Sequence, residues 1–125
     1  MLQKSTYITQ TNCITPLGFD VISNWEALQS GKSGIQLHHN VGVLNTFYAS
    51  IISSSKLDEE FFKAEFPFKV SDKQFTKLEK MILLALLPLV SANKVTPKTA
   101  FVFSTTKGNI KSLEIESTLI NEAQL

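Results

Sequence analysis

The sequence predicts an α/β domain in which helices pack on a mixed sheet. Three observations carry that expectation. Stretches of strand composition alternate with stretches of helical period. One long segment around residues 75–90 is apolar on more than one helical face, as a helix buried on several sides would be. Of the 125 residues, 43% are hydrophobic and 18% charged, which suits a single folded domain spanning 1–125. A chain of this length can bury a core without disulfides, and its one cysteine cannot form an internal one.

The first element is "STYITQTNCIT", rich in β-branched residues. As a strand it places Tyr7, Thr9, Thr11 and Cys13 on one side and Ile8, Gln10, Asn12 and Ile14 on the other. "PLG", Pro16 to Gly18, ends it, because Pro lacks the N–H a ladder needs and Gly suits a turn. A helix over about 21–30 follows, with Asp20 as N-cap. Val21, Trp25 and Leu28 form its apolar face, and Gly31 stands at the left-handed C-terminal cap. Leu44 to Ser53 reads as a second strand. A short helix at 58–64 ends before Pro67.

The strongest helix begins after Asp72, its expected cap. Phe75, Leu78, Ile82 and Leu86 form its main apolar face, and from Met81 it should be buried on several sides. Pro88 costs ~3 kcal/mol in a helix interior. Either the helix kinks there or its last turn starts there. Thr99 to Ser104 then reads as a buried strand running into the polar loop Ser104–Ile110. Ile115, Leu119 and Ala123 lie at helical spacing in a final helix. The expected order is strand, helix, strand, long buried helix, strand, helix.

The formal net charge is +1, and Lys and Arg are not gathered into a strip, so nothing marks a nucleic-acid partner. The N-terminus has no apolar core of a secretory signal. The longest apolar run, Met81 to Val90, is too short to span a bilayer. The expectation is a cytoplasmic protein with no membrane partner.

Four groups could carry chemistry. Cys13 is the only thiol, and a nucleophilic thiol needs a base or a helix N-terminus. Asp20 adds negative charge at the nearest helix start, and free Cys is often buried, so Cys13 reads as a packed strand residue. His38 and His39 are adjacent and so point apart, a poor metal pair; they read as solvated loop histidines. Ser104–Ile110 sits after a strand, where ligand loops are common, yet it lacks the order of a phosphate loop and reads as a turn fixed by Gly108 and Asn109. Asp58, Glu59 and Glu60 are consecutive and fan out, as in a solvated first turn. No metal set and no cofactor motif is present. The 75–90 stripe reads as core or as a subunit interface.

Three stretches resemble a known family. "YITQTNCITPLG" resembles the opening strand of β-ketoacyl-acyl-carrier-protein synthases, whose pattern is roughly I-T-G-x-G-x-x-T-P-L-G. "WEALQSGKSGI", Trp25 to Ile35, resembles their next segment, W-x-x-L-x-x-G-x-S-G-I. "FVFSTTKGNI" resembles a later strand and loop, and the three occur in the family's order. The resemblance implies part of a thiolase-like layered fold, a dimer with itself or with a synthase subunit, and acyl carrier protein as partner. It implies decarboxylative Claisen condensation in fatty acid or polyketide synthesis, with no metal or organic cofactor.

In the family the acyl group is held on a Cys at a later strand-to-helix turn, and two His lie further on. Family chains are much longer, so this one is expected to be their N-terminal segment and to end before any catalytic residue. Cys13 then matches an apolar strand position, and His38 and His39 a loop. The family glycines of the first strand are replaced by Gln10 and Asn12, which implies a divergent branch. The alternatives are a non-catalytic partner subunit of the chain-length-factor type, or a small enzyme using Cys13.

Overall fold

Two local devices, both readable in the sequence, fix the first helix of the computed structural model, which describes residues 5–41, 44–67, 75–93, 95–106 and 108–109. The Asp20 carboxylate accepts the Ser23 N–H at 2.7 Å and starts α1, Val21–Gln29. Gly31 stops it with a φ of +74°, while its N–H donates to the Leu28 carbonyl and that of Lys32 to the Ala27 carbonyl, both at 3.0 Å. That is the pairing of a Schellman cap. The inward face differs from expectation. Asn24 and Ala27 are buried, whereas Val21, Trp25 and Leu28 face outward, Trp25 with 59% of its surface exposed. The physical reason is polar: Asn24 holds the preceding turn, so its side of α1 must face in.

Strands β1, Gln36–Val41, and β2, Leu44–Ala49, pair antiparallel with Leu37 opposite Tyr48 and His38 opposite Phe47. β2 keeps the first part of the expected 44–53 strand. β1 takes in both histidines, which therefore lie on a strand and not in a loop. The outer face of this hairpin carries exposed Leu37, Leu44 and Tyr48.

α2 runs Ser54–Lys63, starting before the expected 58, so Asp58, Glu59 and Glu60 lie mid-helix and not in a first turn. It buries Leu57 and Phe61, one turn apart. α3 runs Lys77–Ala92. Its cap is Thr76, not Asp72, which lies outside the described residues. The Thr76 hydroxyl accepts the Glu79 N–H at 3.3 Å and the Glu79 carboxylate accepts the Thr76 N–H at 2.7 Å, a reciprocal capping box. The helix continues through Pro88 to Ala92. Up to Val90 its residues other than the exposed Glu79 are partly buried on every face, and none is fully buried. The burial expected from Met81 onward is therefore only partial. Lys80 ties α3 to α2 by an ion pair with Asp58 at 2.7 Å.

The strands expected over 5–15 and 99–104 form no ladder among the described residues; Thr15 and Gly18 alone form a bridge. No described strand lies beside either segment, and the second is exposed, Val102 at 91%. The Phe101 and Phe103 rings stack 6.5 Å apart, as alternate residues of an extended chain can. The final helix expected around 115–123 lies outside the described residues. The fold is thus mixed α/β, with three helices and one two-stranded antiparallel sheet described. No described helix is long and apolar enough to cross a membrane.

The α2 ion pair gives a pH prediction. Lys63 lies 2.6 Å from Glu59 and 3.3 Å from Glu60. The hydrogen bond from Lys63, then its charge, lowers the Glu59 pKa from its ordinary 4.5; bonds to Glu59 and Glu60 raise that of Lys63 from 10.5. The Glu59 contribution is therefore complete above its unfolded pKa and lost as pH falls through the lowered folded one. The Lys63 contribution is complete below its unfolded pKa and lost as pH rises through the raised folded one. Both groups are exposed, so the effect is small and weakened by salt. An NMR titration of the Glu59 carboxyl should show a midpoint below the ordinary one, returning to it in Lys63→Gln.

Candidate functional site

The most organised polar cluster lies where the extended segment turns into α1. Thr15 and Gly18 exchange backbone hydrogen bonds of 2.9 and 3.2 Å across Pro16 and Leu17. The Thr15 hydroxyl donates to the Asn24 Oδ1 and accepts the Leu17 N–H at 3.1 Å. The Asn24 amide donates to the carbonyls of Cys13 at 3.3 Å, Gly18 at 3.0 Å and Asp20 at 2.7 Å. Asn24 is 5% exposed, and one side chain thus fastens strand end, turn and helix start. Gly18 is required there: a Cβ on it would lie 2.9 Å from the Asn24 backbone nitrogen. Sequence reasoning missed Asn24. The signal was its place one turn after Asp20, on the edge of the apolar stripe of α1.

Cys13 is exposed, not packed, and its thiol makes no hydrogen bond among the described residues. Its backbone carbonyl, held by Asn24, is the part that the fold uses. His38 donates from Nε2 to the Ala49 carbonyl at 3.2 Å and stacks on Phe47, ring centroids 5.6 Å apart. His39 sits within 3.4 Å of the Thr46 hydroxyl. The two rings thus keep separate partners. No group of three metal-ligating side chains forms among the described residues. After residue 104, Gly108 has a φ of +63° and donates its N–H to the Thr105 hydroxyl at 3.1 Å. Lys107 and Ile110 lie outside the described residues. Asp58 is engaged with Lys80, and Glu59 and Glu60 with Lys63.

Gln10 and Asn12 have a definite use. Asn12 donates to the Ala85 carbonyl at 3.1 Å and Gln10 to the Pro88 carbonyl at 3.3 Å. Gln10 also accepts from the Asn93 amide at 2.8 Å. Pro88 has no N–H to give the Leu84 carbonyl, so the ladder is interrupted at this stretch of α3. Alternate residues of an extended chain share a face, and that face docks on α3 beside the interruption. On α3 an apolar hollow of about 160 Å³ opens between Phe66, Leu83, Leu87, Val90 and Phe101.

The chain matches no protein-family model, no curated protein and no solved structure. Among the described residues, neither Cys13 nor either histidine meets a partner that would activate it for nucleophilic or acid–base chemistry. The ordered features are a locked turn and an extended segment docked on α3.

Proposed function

We propose that this chain is the N-terminal part of a β-ketoacyl-acyl-carrier-protein synthase of the cytoplasm, contributing to a thiolase-like layered fold. The observation that carries the reading is the use made of the residues in the resemblance. Thr15, Pro16, Leu17 and Gly18 build the locked turn, and Gly31 makes the left-handed cap. A motif needed for backbone geometry is a framework motif, and framework is what the family's opening segment supplies. The outward Trp25 and Leu28 of α1 add support, since a layered fold sets further elements on such faces.

In this reading the chain supplies sheet, helix and interface. It has no condensing activity of its own, and the acyl-holding Cys and the two His belong to other residues of the synthase. Acyl carrier protein is the partner, and a second synthase subunit completes the dimer. A second reading, a non-catalytic partner subunit of the chain-length-factor type, is favoured by Gln10 and Asn12. They fill positions where the family has glycine, and they tie the segment to α3.

The test is a condensation assay on the protein expressed from its full natural reading frame, with acyl- and malonyl-acyl carrier protein. The expected result is CO2 release and a 3-oxoacyl thioester. No product, but co-purification with a separate synthase, moves the protein to the second reading. No product and no binding of either carrier protein or synthase overturns both.

A further inference from the structure

A cleft of about 130 Å³ lies where the turn before α1, strand β1 and helix α2 meet. Its lining mixes two chemistries. Phe19 and Ile52 give apolar surface, and His38 adds a flat ring whose Nε2 hydrogen is already spent on the Ala49 carbonyl. Gln36, Ser53 and Lys56 supply an amide, a hydroxyl and an ammonium. No carboxylate is among the described residues that line the cleft.

Lys56 differs from other lysines around it. Lys63 and Lys80 are held by carboxylates, and Lys77 donates to the Ile52 carbonyl. The Lys56 ammonium instead rests over the Phe19 ring, 5.6 Å from its centroid. Its charge also reaches Glu59, one turn along α2, but the Glu59 carboxylate is hydrogen-bonded to Lys63. A cation over an aromatic face is stabilised there while keeping hydrogens to give an anion.

We propose that this cleft binds a short monocarboxylate, its anionic end on Lys56 and its hydrocarbon tail against Phe19 and Ile52. Size sets the length: a dry cavity of ~150 Å³ takes benzene, so this one holds about six non-hydrogen atoms. The apolar part of the lining selects against inorganic phosphate, a strongly hydrated ion with no surface to offer it. Amphipathic lining of this kind, mostly apolar with a few polar groups that fix orientation, is the usual build of a small-molecule site. The assignment stands on the cleft alone and is independent of the synthase reading.

The test is NMR titration of the full protein with butyrate, with butanol, butylammonium and inorganic phosphate as comparison probes. Butyrate should shift the amides of Gln36, Ser53 and Lys56 while the comparison probes leave them in place. Lys56→Met should weaken butyrate at least about tenfold, the scale of a lost charge-assisted hydrogen bond, and Lys56→Arg should restore it. Lys56 is exposed, so both variants should fold. Absence of butyrate shifts, equal binding of butanol or phosphate, or butyrate binding untouched by Lys56→Met would each overturn the assignment.

Discussion

Replacing Phe61 by alanine is expected to lower stability by about 3–5 kcal/mol, the usual cost of removing a buried aromatic side chain. Phe61 is 4% exposed and stands where α2 meets α3. Its ring lies 5.0 Å from that of Phe66, 5.4 Å from that of Phe75 and 5.8 Å from the Lys80 ammonium. The substitution removes the apolar transfer term, leaves a cavity and deletes these contacts together with the edge contact to the Phe62 ring at 6.4 Å. Folded domains have only about 5–15 kcal/mol in total. The described core is small, Ala27, Ile52, Leu57 and Phe61, so the variant should unfold at far lower urea, or be unfolded without it. Phe62→Ala is the control. That ring is 82% exposed, and its loss should change stability by no more than about 0.5 kcal/mol. Equal effects of the two substitutions in a urea titration would refute this account of the α2–α3 contact.

The pair at 61 and 62 also shows where the sequence stops being readable. Two consecutive Phe on a helix point about 100° apart, and which one faces in depends on the register. A helix placed at 58–64 leaves out Leu57, the residue one turn back that identifies Phe61 as the inward member. Capping signals were easier because they are local: Asp20 and Gly31 bracket α1 as the sequence says. For α3 the expected cap, Asp72, was not the one used. Only Thr76 has Glu three residues on, and that reciprocal pair decided the start.

Strand β1 was hidden because its side chains, Gln36, His38, His39 and Asn40, are polar and lack the alternation that marks a strand. Its pairing comes from β2, which tertiary context alone reveals. The strand-like stretches 5–15 and 99–104 show the converse. Composition states a preference for the extended chain, but a ladder needs a neighbour that composition does not contain. The candidate site was legible to the same degree. That the histidines point apart followed from adjacency alone; the exposure of Cys13 and the docking of Gln10 and Asn12 depended on what lies beside them.

The largest effect away from the α2–α3 contact is expected at Asn24, where polarity and not hydrophobicity chooses the buried face of a helix. Asn24→Leu keeps the number and branching of the side-chain heavy atoms and makes them apolar. It removes the acceptor of the Thr15 hydroxyl and the donor to the Cys13, Gly18 and Asp20 carbonyls. The Gly18 carbonyl still receives the Thr15 N–H and the Asp20 carbonyl the Asn24 N–H, so these two are not orphaned. A loss of about 2–3 kcal/mol follows, from one or two buried groups left without partners. Asn24→Asp separates the two halves of the role. It keeps the acceptor for Thr15 but sets a carboxylate against three carbonyl oxygens. At neutral pH it should cost at least as much as leucine, and part of that loss should return as pH falls and the carboxyl gains a proton to donate. Gly18→Ala attacks the same cluster from the backbone side, with a Cβ 2.9 Å from the Asn24 nitrogen, and should cost about 1–3 kcal/mol. Urea titrations of the three variants at neutral and acid pH separate these terms. An Asn24→Leu protein as stable as the parent would mean that burial of Ala27, and not the amide network, orients α1.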